Sequence, residues 1–142
     1  MASDRILRLS AAAFAVLFTI VVAIGYVPGW YTMVGHERKL FGLFMLMPLD
    51  DITHGITALA AVVAAWRGAA ACRLFFTAFG WYYALDAIFF LTNGFVNDLP
   101  WWDDIMLNLP HVLIATAMLS LVYLRLPFGA AAPAPAGRVS AA

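Results

Sequence analysis

Apolar residues run almost unbroken through four stretches of the chain, with polar positions gathered mainly between them. Leu9 to Tyr26 carries no charge, Leu74 to Thr92 carries only Asp86, and Ile105 to Leu124 carries none but includes Asn108, Pro110 and His111. The stretch from Ile52 to Trp66 is shorter. It reaches a comparable length if its helix opens at Pro48, whose missing N–H has no helical partner in a first turn anyway. A helix crossing the hydrocarbon core of a bilayer takes about 20 mostly apolar residues, because only continuous internal backbone pairing survives away from water. The pattern therefore predicts spans at about 9–28, 48–68, 74–94 and 105–125, and an all-α, integral-membrane four-helix bundle over residues 1–126. The run from Leu40 to Pro48 is apolar but too short to span, and is expected to lie along the interface or fold against the bundle. Residues 127–142 are rich in Pro, Ala and Gly, cannot build a core, and are read as a disordered tail.

Composition agrees with the pattern. Of 142 residues, 65% are hydrophobic and 11% charged, against roughly 45–50% and about 25% in a soluble domain, which excludes a water-soluble globule. Eight basic residues balance eight acidic ones, so no cationic surplus exists to hold nucleic-acid phosphates; the bilayer is the expected partner. Cys72 has no second cysteine for a disulfide or a Cys-based metal site; beside Arg73 near a span end it is read as either inert or acylated. There is no Gly-rich phosphate loop, nucleophile elbow or H-E-x-x-H, so soluble-type catalysis has no support.

Basic residues in short loops stay on the cytoplasmic side. Arg5, Arg8, Arg67, Arg73, Arg125 and Arg138 fall on one side of the predicted spans. Arg38 and Lys39 fall on the other, with Glu37, Asp50, Asp51, Asp98, Asp103 and Asp104. Both termini are thus expected in the cytoplasm and the protein in the inner membrane. Tyr26, Trp30, Tyr31, Trp101 and Trp102 form an aromatic belt on the outer side. Arg5 and Arg8 before an apolar run also suit a secretory signal, but the run is long for a signal core and no A-x-A follows it, so it is read as an anchor.

One motif occurs twice. Asp51-Ile-Thr-His54 opens the second predicted helix and Asn108-Leu-Pro-His111 sits near the start of the fourth, which suggests two helical-hairpin repeats in parallel. Positions i and i+3 share a helix face, so Asp51 with His54, and Asn108 with His111, are expected to project as pairs. Polar groups facing hydrocarbon cost several kcal/mol unless partnered, so both pairs should turn inward and meet Asp86 at one level.

Two readings of His54, His111 and Asp86, with Asp51 and Asn108 alongside, stay open. One is a polar clasp that hydrogen-bonds the helices together, the protein acting through a membrane partner or a homo-oligomer. The other is a site holding a transition metal or haem, or handling protons or a small solute in an oligomer. A di-iron bundle would need more carboxylates than these spans carry. His36 in the outer loop is read as solvated, Asp103 and Asp104 as caps of the fourth helix, and Trp81, Tyr82 and Tyr83 as bundle core.

At the paired Asx-x-x-His motifs, and in Leu40-Phe-Gly-Leu-Phe44, the chain resembles the small bacterial four-helix membrane proteins grouped as domain-of-unknown-function family 4383. Asp51 stands where that family usually has Asn. The resemblance covers about residues 9–125 and implies topology without an activity. A weaker likeness in size and span number to DoxX-like proteins implies a redox-associated membrane partner.

Overall fold

A computed structural model describes residues 3–92 and 100–124, apart from the side chains of Glu37, Met45 and Asp103. The expectations for Asp98, Arg125, Arg138 and the tail lie outside the described residues. The described residues form four helices: α1 (Asp4–Ile24), α2 (Pro48–Arg67), α3 (Ala69–Thr92) and α4 (Trp101–Tyr123). By length and composition α1, α3 and the Asp104–Tyr123 part of α4 can each cross a membrane. The chain is therefore a helical bundle of membrane-protein character.

The helix starts differ from expectation for local reasons. α1 begins at Asp4 because Ser3 caps it, accepting from the Ile6 N–H at 3.4 Å, so Arg5 and Arg8 lie on the helix and not before it. α2 opens at Pro48 and ends at Gly68, where a φ of 105° breaks the helix; α3 starts at the next residue. α4 starts at Trp101 behind Pro100 without a side-chain cap. The expected capping role of Asp104 is thereby corrected: it lies inside the first turns, buried, and accepts from Asn108 Nδ2 at 3.0 Å.

The helical bundle also carries one element that the apolar pattern did not announce. Between α1 and α2 lies an antiparallel sheet of three strands, β1 (Tyr31–Val34), β2 (Glu37–Leu40) and β3 (Phe44–Leu46), in sequential order. Val34 pairs with Glu37, leaving Gly35 and His36 as the hairpin loop. Gly35 has a φ of 64°, which fits the type II′ turn that puts glycine first. The sheet packs onto the end of α1, where Leu46 Cδ1 lies 2.7 Å from where a Cβ on Gly25 would stand.

The helices pack mainly as two hairpins, α1 with α2 and α3 with α4; α2 also meets α3 and α1 meets α3. α1 buries Leu7, Ala11, Ala15 and Phe18, a stripe at three- and four-residue spacing. The buried stripe of α2 is Asp51, His54, Thr57, Ala58, Ala61 and Ala64, whereas its outward side carries Ile52, Ile56, Val62 and Leu59, the last 66% exposed. A helix with polar and small residues inside and large aliphatic ones outside is inverted for water and suited to lipid.

At Gly80, α3 and α4 approach closely: an added Cβ would come within 2.7 Å of Leu119 Cδ2 and 3.2 Å of Met118 Cβ. Gly80→Val is expected to lower stability by about 1–3 kcal/mol, the usual cost of overpacking, read as a fall in melting temperature in detergent. Gly80→Ala should cost less, because the Leu119 side chain can yield. A Val variant that melts with the parent would show that this contact is loose.

Candidate functional site

The site grows from the inner faces of the helices at the sheet end of the bundle. His54, in the second turn of α2, lies between rings from two other helices: its centroid is 5.5 Å from Phe18 of α1 and 6.2 Å from Tyr83 of α3, both stacked. His111 of α4 meets His54 edge to face at 6.0 Å and Tyr83 at 5.5 Å. The two imidazoles thus come together at one level, with one aromatic ring packed against both.

Asp86 of α3 reaches His111, its Oδ2 standing 2.7 Å from Nδ1 in a close contact that lacks the alignment of a hydrogen bond. His54 is only 8% exposed, and neither of its nitrogens has a hydrogen-bond partner among the described residues.

Tyr83 is fixed by a short relay. The Thr57 hydroxyl donates to the Thr53 carbonyl at 2.8 Å, so its single proton is used. The Tyr83 hydroxyl, 3.0 Å from Thr57 Oγ1, must then be the donor of that contact. A buried ring that touches Phe18 and both histidines is thereby tied to α2 at its far end. The expectation that Trp81, Tyr82 and Tyr83 are all core is corrected: Trp81 and Tyr82 point outward, and only Tyr83 is buried.

The two supporting residues go elsewhere. Asp51 does not pair with His54; it accepts from Arg38 at 2.5 Å and from the Tyr26 hydroxyl at 2.8 Å. Arg38 also donates to the Gly25 carbonyl at 2.7 Å and lies over the Tyr26 ring at 3.9 Å. Desolvation pulls the Arg38 pKa down, but its contacts with Tyr26 and Asp51 outweigh that and hold it above the ordinary value, so it stays charged. Asn108 turns back along α4, donating to the Asp104 carbonyl at 2.8 Å as well as to its side chain. Both residues are buried, yet neither joins the histidine pair.

Asp50 is the residue the sequence reading passed over. It lies four positions before His54, a spacing that shares a helix face as well as three does. With His54 and His111 it lines a cavity of about 380 Å³ between the sheet end of α1 and the first half of α4. The remaining wall is apolar, including Phe18, Phe41 and Phe44. Phe41 has a φ of 51°, the only non-glycine residue with positive φ among those described, and donates its N–H to the Trp30 carbonyl at 2.9 Å.

The geometry bears on metal binding. Among the described residues no three His, Cys, Asp or Glu side chains are grouped to hold an ion. His36 is exposed in the β1–β2 turn, apart from the cluster. Cys72 is fully buried and its thiol donates to the Ala64 carbonyl at 3.3 Å, which keeps it from an acyl donor. Comparison of the chain with protein-family models, with curated proteins and with solved structures finds no match.

Proposed function

We propose that this is a four-span protein of the inner membrane, with both termini in the cytoplasm, whose His54, His111 and Asp86 layer clasps the helices instead of holding a cofactor. It acts as a binding or scaffolding component, alone or through a partner or second copy. One observation carries the reading: the 2.7 Å Asp86–His111 contact and the shared Tyr83 ring link α3, α4 and α2 at the level where polar groups would otherwise face lipid. The α2 helix supplies the fourth span. It has 20 residues, long enough for about 30 Å, packs along α1 and α3, and is joined to α3 through Gly68 alone. Its charges sit at its ends, Asp50 and Asp51 in the first turn and Arg67 in the last. Arg5, Arg8, Arg67 and Arg73 collect at the end opposite the sheet, where Arg8 donates to the Ala65 carbonyl at 3.0 Å; the positive-inside rule puts that end in the cytoplasm. The two hairpins, each with its histidine near the outer end, are read as repeats of one unit, in keeping with the resemblance to the four-helix family.

Coupling between Asp86 and His111 tests the clasp. Asp86→Asn and His111→Gln are each expected to lower stability by about 1–3 kcal/mol, with the double variant losing less than the sum. The readout is unfolding by added dodecyl sulfate in mixed micelles. Stoichiometric transition metal on elemental analysis, or a Soret band that either variant abolishes, would replace the clasp with a cofactor centre. Additive losses would remove the pairing.

A further inference from the structure

The cavity beside the clasp has the chemistry of a ligand site. α1 and α4 form its facing walls and barely touch each other, while Leu40, Phe44 and Leu46 of the sheet region lie across its end. Leu17, Leu113 and Phe41 on its lining are exposed, so it communicates with the surface of the bundle. Its volume of about 380 Å³ falls within the range of small-molecule sites, roughly 300–1,000 Å³.

The polar part of the wall is small and one-sided. Among the described residues, Asp50, His54 and His111 are its only ionisable ones, and no lysine or arginine lines it. Among the described residues no lysine or arginine pairs with Asp50; Arg38 is committed to its sequence neighbour Asp51. His54 is 8% exposed and its Nδ1 has no hydrogen-bond partner among the described residues, while His111 has its Nδ1 2.7 Å from Asp86 Oδ2. The wall therefore presents one carboxylate, Asp50, and two imidazoles, one of them backed by Asp86. Such a site repels carboxylate and phosphate heads and attracts a cation with N–H donors. Phenylalanine rings suit the same occupant, through their apolar area and their attraction for cations.

We propose that this cavity binds a bilayer-soluble organic amine, an ammonium head on an apolar body, with Asp50 as the counter-ion. The proposal rests on the membrane placement given above and deepens it from scaffold to receptor of a ligand class.

The test is isothermal titration of the full chain in phosphatidylcholine nanodiscs with phenylbutylamine, using phenylbutanol and phenylbutyrate as its uncharged and anionic counterparts and empty discs to subtract partitioning. Saturable one-site binding of the amine is expected, tighter than the alcohol by roughly tenfold or more, with none of the acid; losing a buried charge partner carries at least that penalty. Asp50→Asn should erase the preference and Asp50→Glu should keep it. Leu113→Trp, which narrows the cavity without changing charge, should abolish binding. Should Asp50→Asn fail to fold, the Glu and Trp variants and the ligand series still decide. Equal binding of amine and alcohol, preference for the acid, no saturable heat at all, or amine affinity unchanged in Asp50→Asn or Leu113→Trp would each overturn the proposal. None of these outcomes touches the Asp86–His111 coupling, so the ligand site and the clasp stand or fall separately.

Discussion

Arg38→Met is expected to lower stability by about 1.5–3 kcal/mol, the usual worth of hydrogen bonds to a charged group, here in a part-buried ion pair. The size follows from what Arg38 joins. Its guanidinium spans the sheet, the end of α1 and the start of α2, with contacts to the Gly25 carbonyl, the Tyr26 ring and the Asp51 carboxylate. The Arg38 and Asp51 side chains are 15% and 7% exposed, so water only partly replaces the lost bonds. Without Arg38 the Asp51 carboxylate keeps only the Tyr26 hydroxyl. Asp51→Asn removes that stranded charge while still accepting from Tyr26, so the Arg38→Met, Asp51→Asn pair should recover more than half of the loss. Circular dichroism during thermal and dodecyl sulfate unfolding measures both. A double variant no more stable than Arg38→Met would mean that the side chain acts through packing on Tyr26 and not through charge.

The same residue shows where sequence reading stops. Arg38 and Lys39 count in the sequence as outer-side charges, and nothing local says that one of them folds under the sheet. The strands themselves left a faint signal: Gly35-His36 between Tyr31-Thr-Met-Val34 and Glu37-Arg-Lys-Leu40 has the spacing of a two-residue hairpin, and the first flank is β-prone. The four helices were legible as apolar stretches, and three of them as possible membrane spans, because both are written as length and lack of charge. The meeting of His54, His111 and Asp86 was legible because polar groups in such helices have only the interior to turn to. Their partners were not. Within one turn of His54 both Asp50 and Asp51 share its face, and the choice between them is made by Arg38 and Tyr26, which come from outside the helix. Asn108 likewise finds Asp104 one turn back before it can reach His111. Periodicity determines which side of a helix a group is on; the neighbour across the gap determines its bond.

Tyr83→Ala should be the most damaging change within the layer, at about 3–5 kcal/mol by the precedent of large aromatic deletions in cores. Tyr83 is 1% exposed and touches Phe18, His54 and His111, so its removal opens a hole at the point where the inner faces of all four helices meet. Tyr83→Phe separates the ring from its hydroxyl. Thr57 keeps its bond to the Thr53 carbonyl and loses only an incoming donor, so the Phe variant should cost about 0.5–1.5 kcal/mol, the net worth of one ordinary hydrogen bond. The imidazoles report the difference directly: in nitrogen-labelled protein the histidine resonances should stay near their parent positions in Tyr83→Phe and shift or broaden in Tyr83→Ala. If the Phe variant were as damaged as the Ala variant, the hydroxyl relay to Thr57 would be what orients the ring, and the stacking would be its consequence.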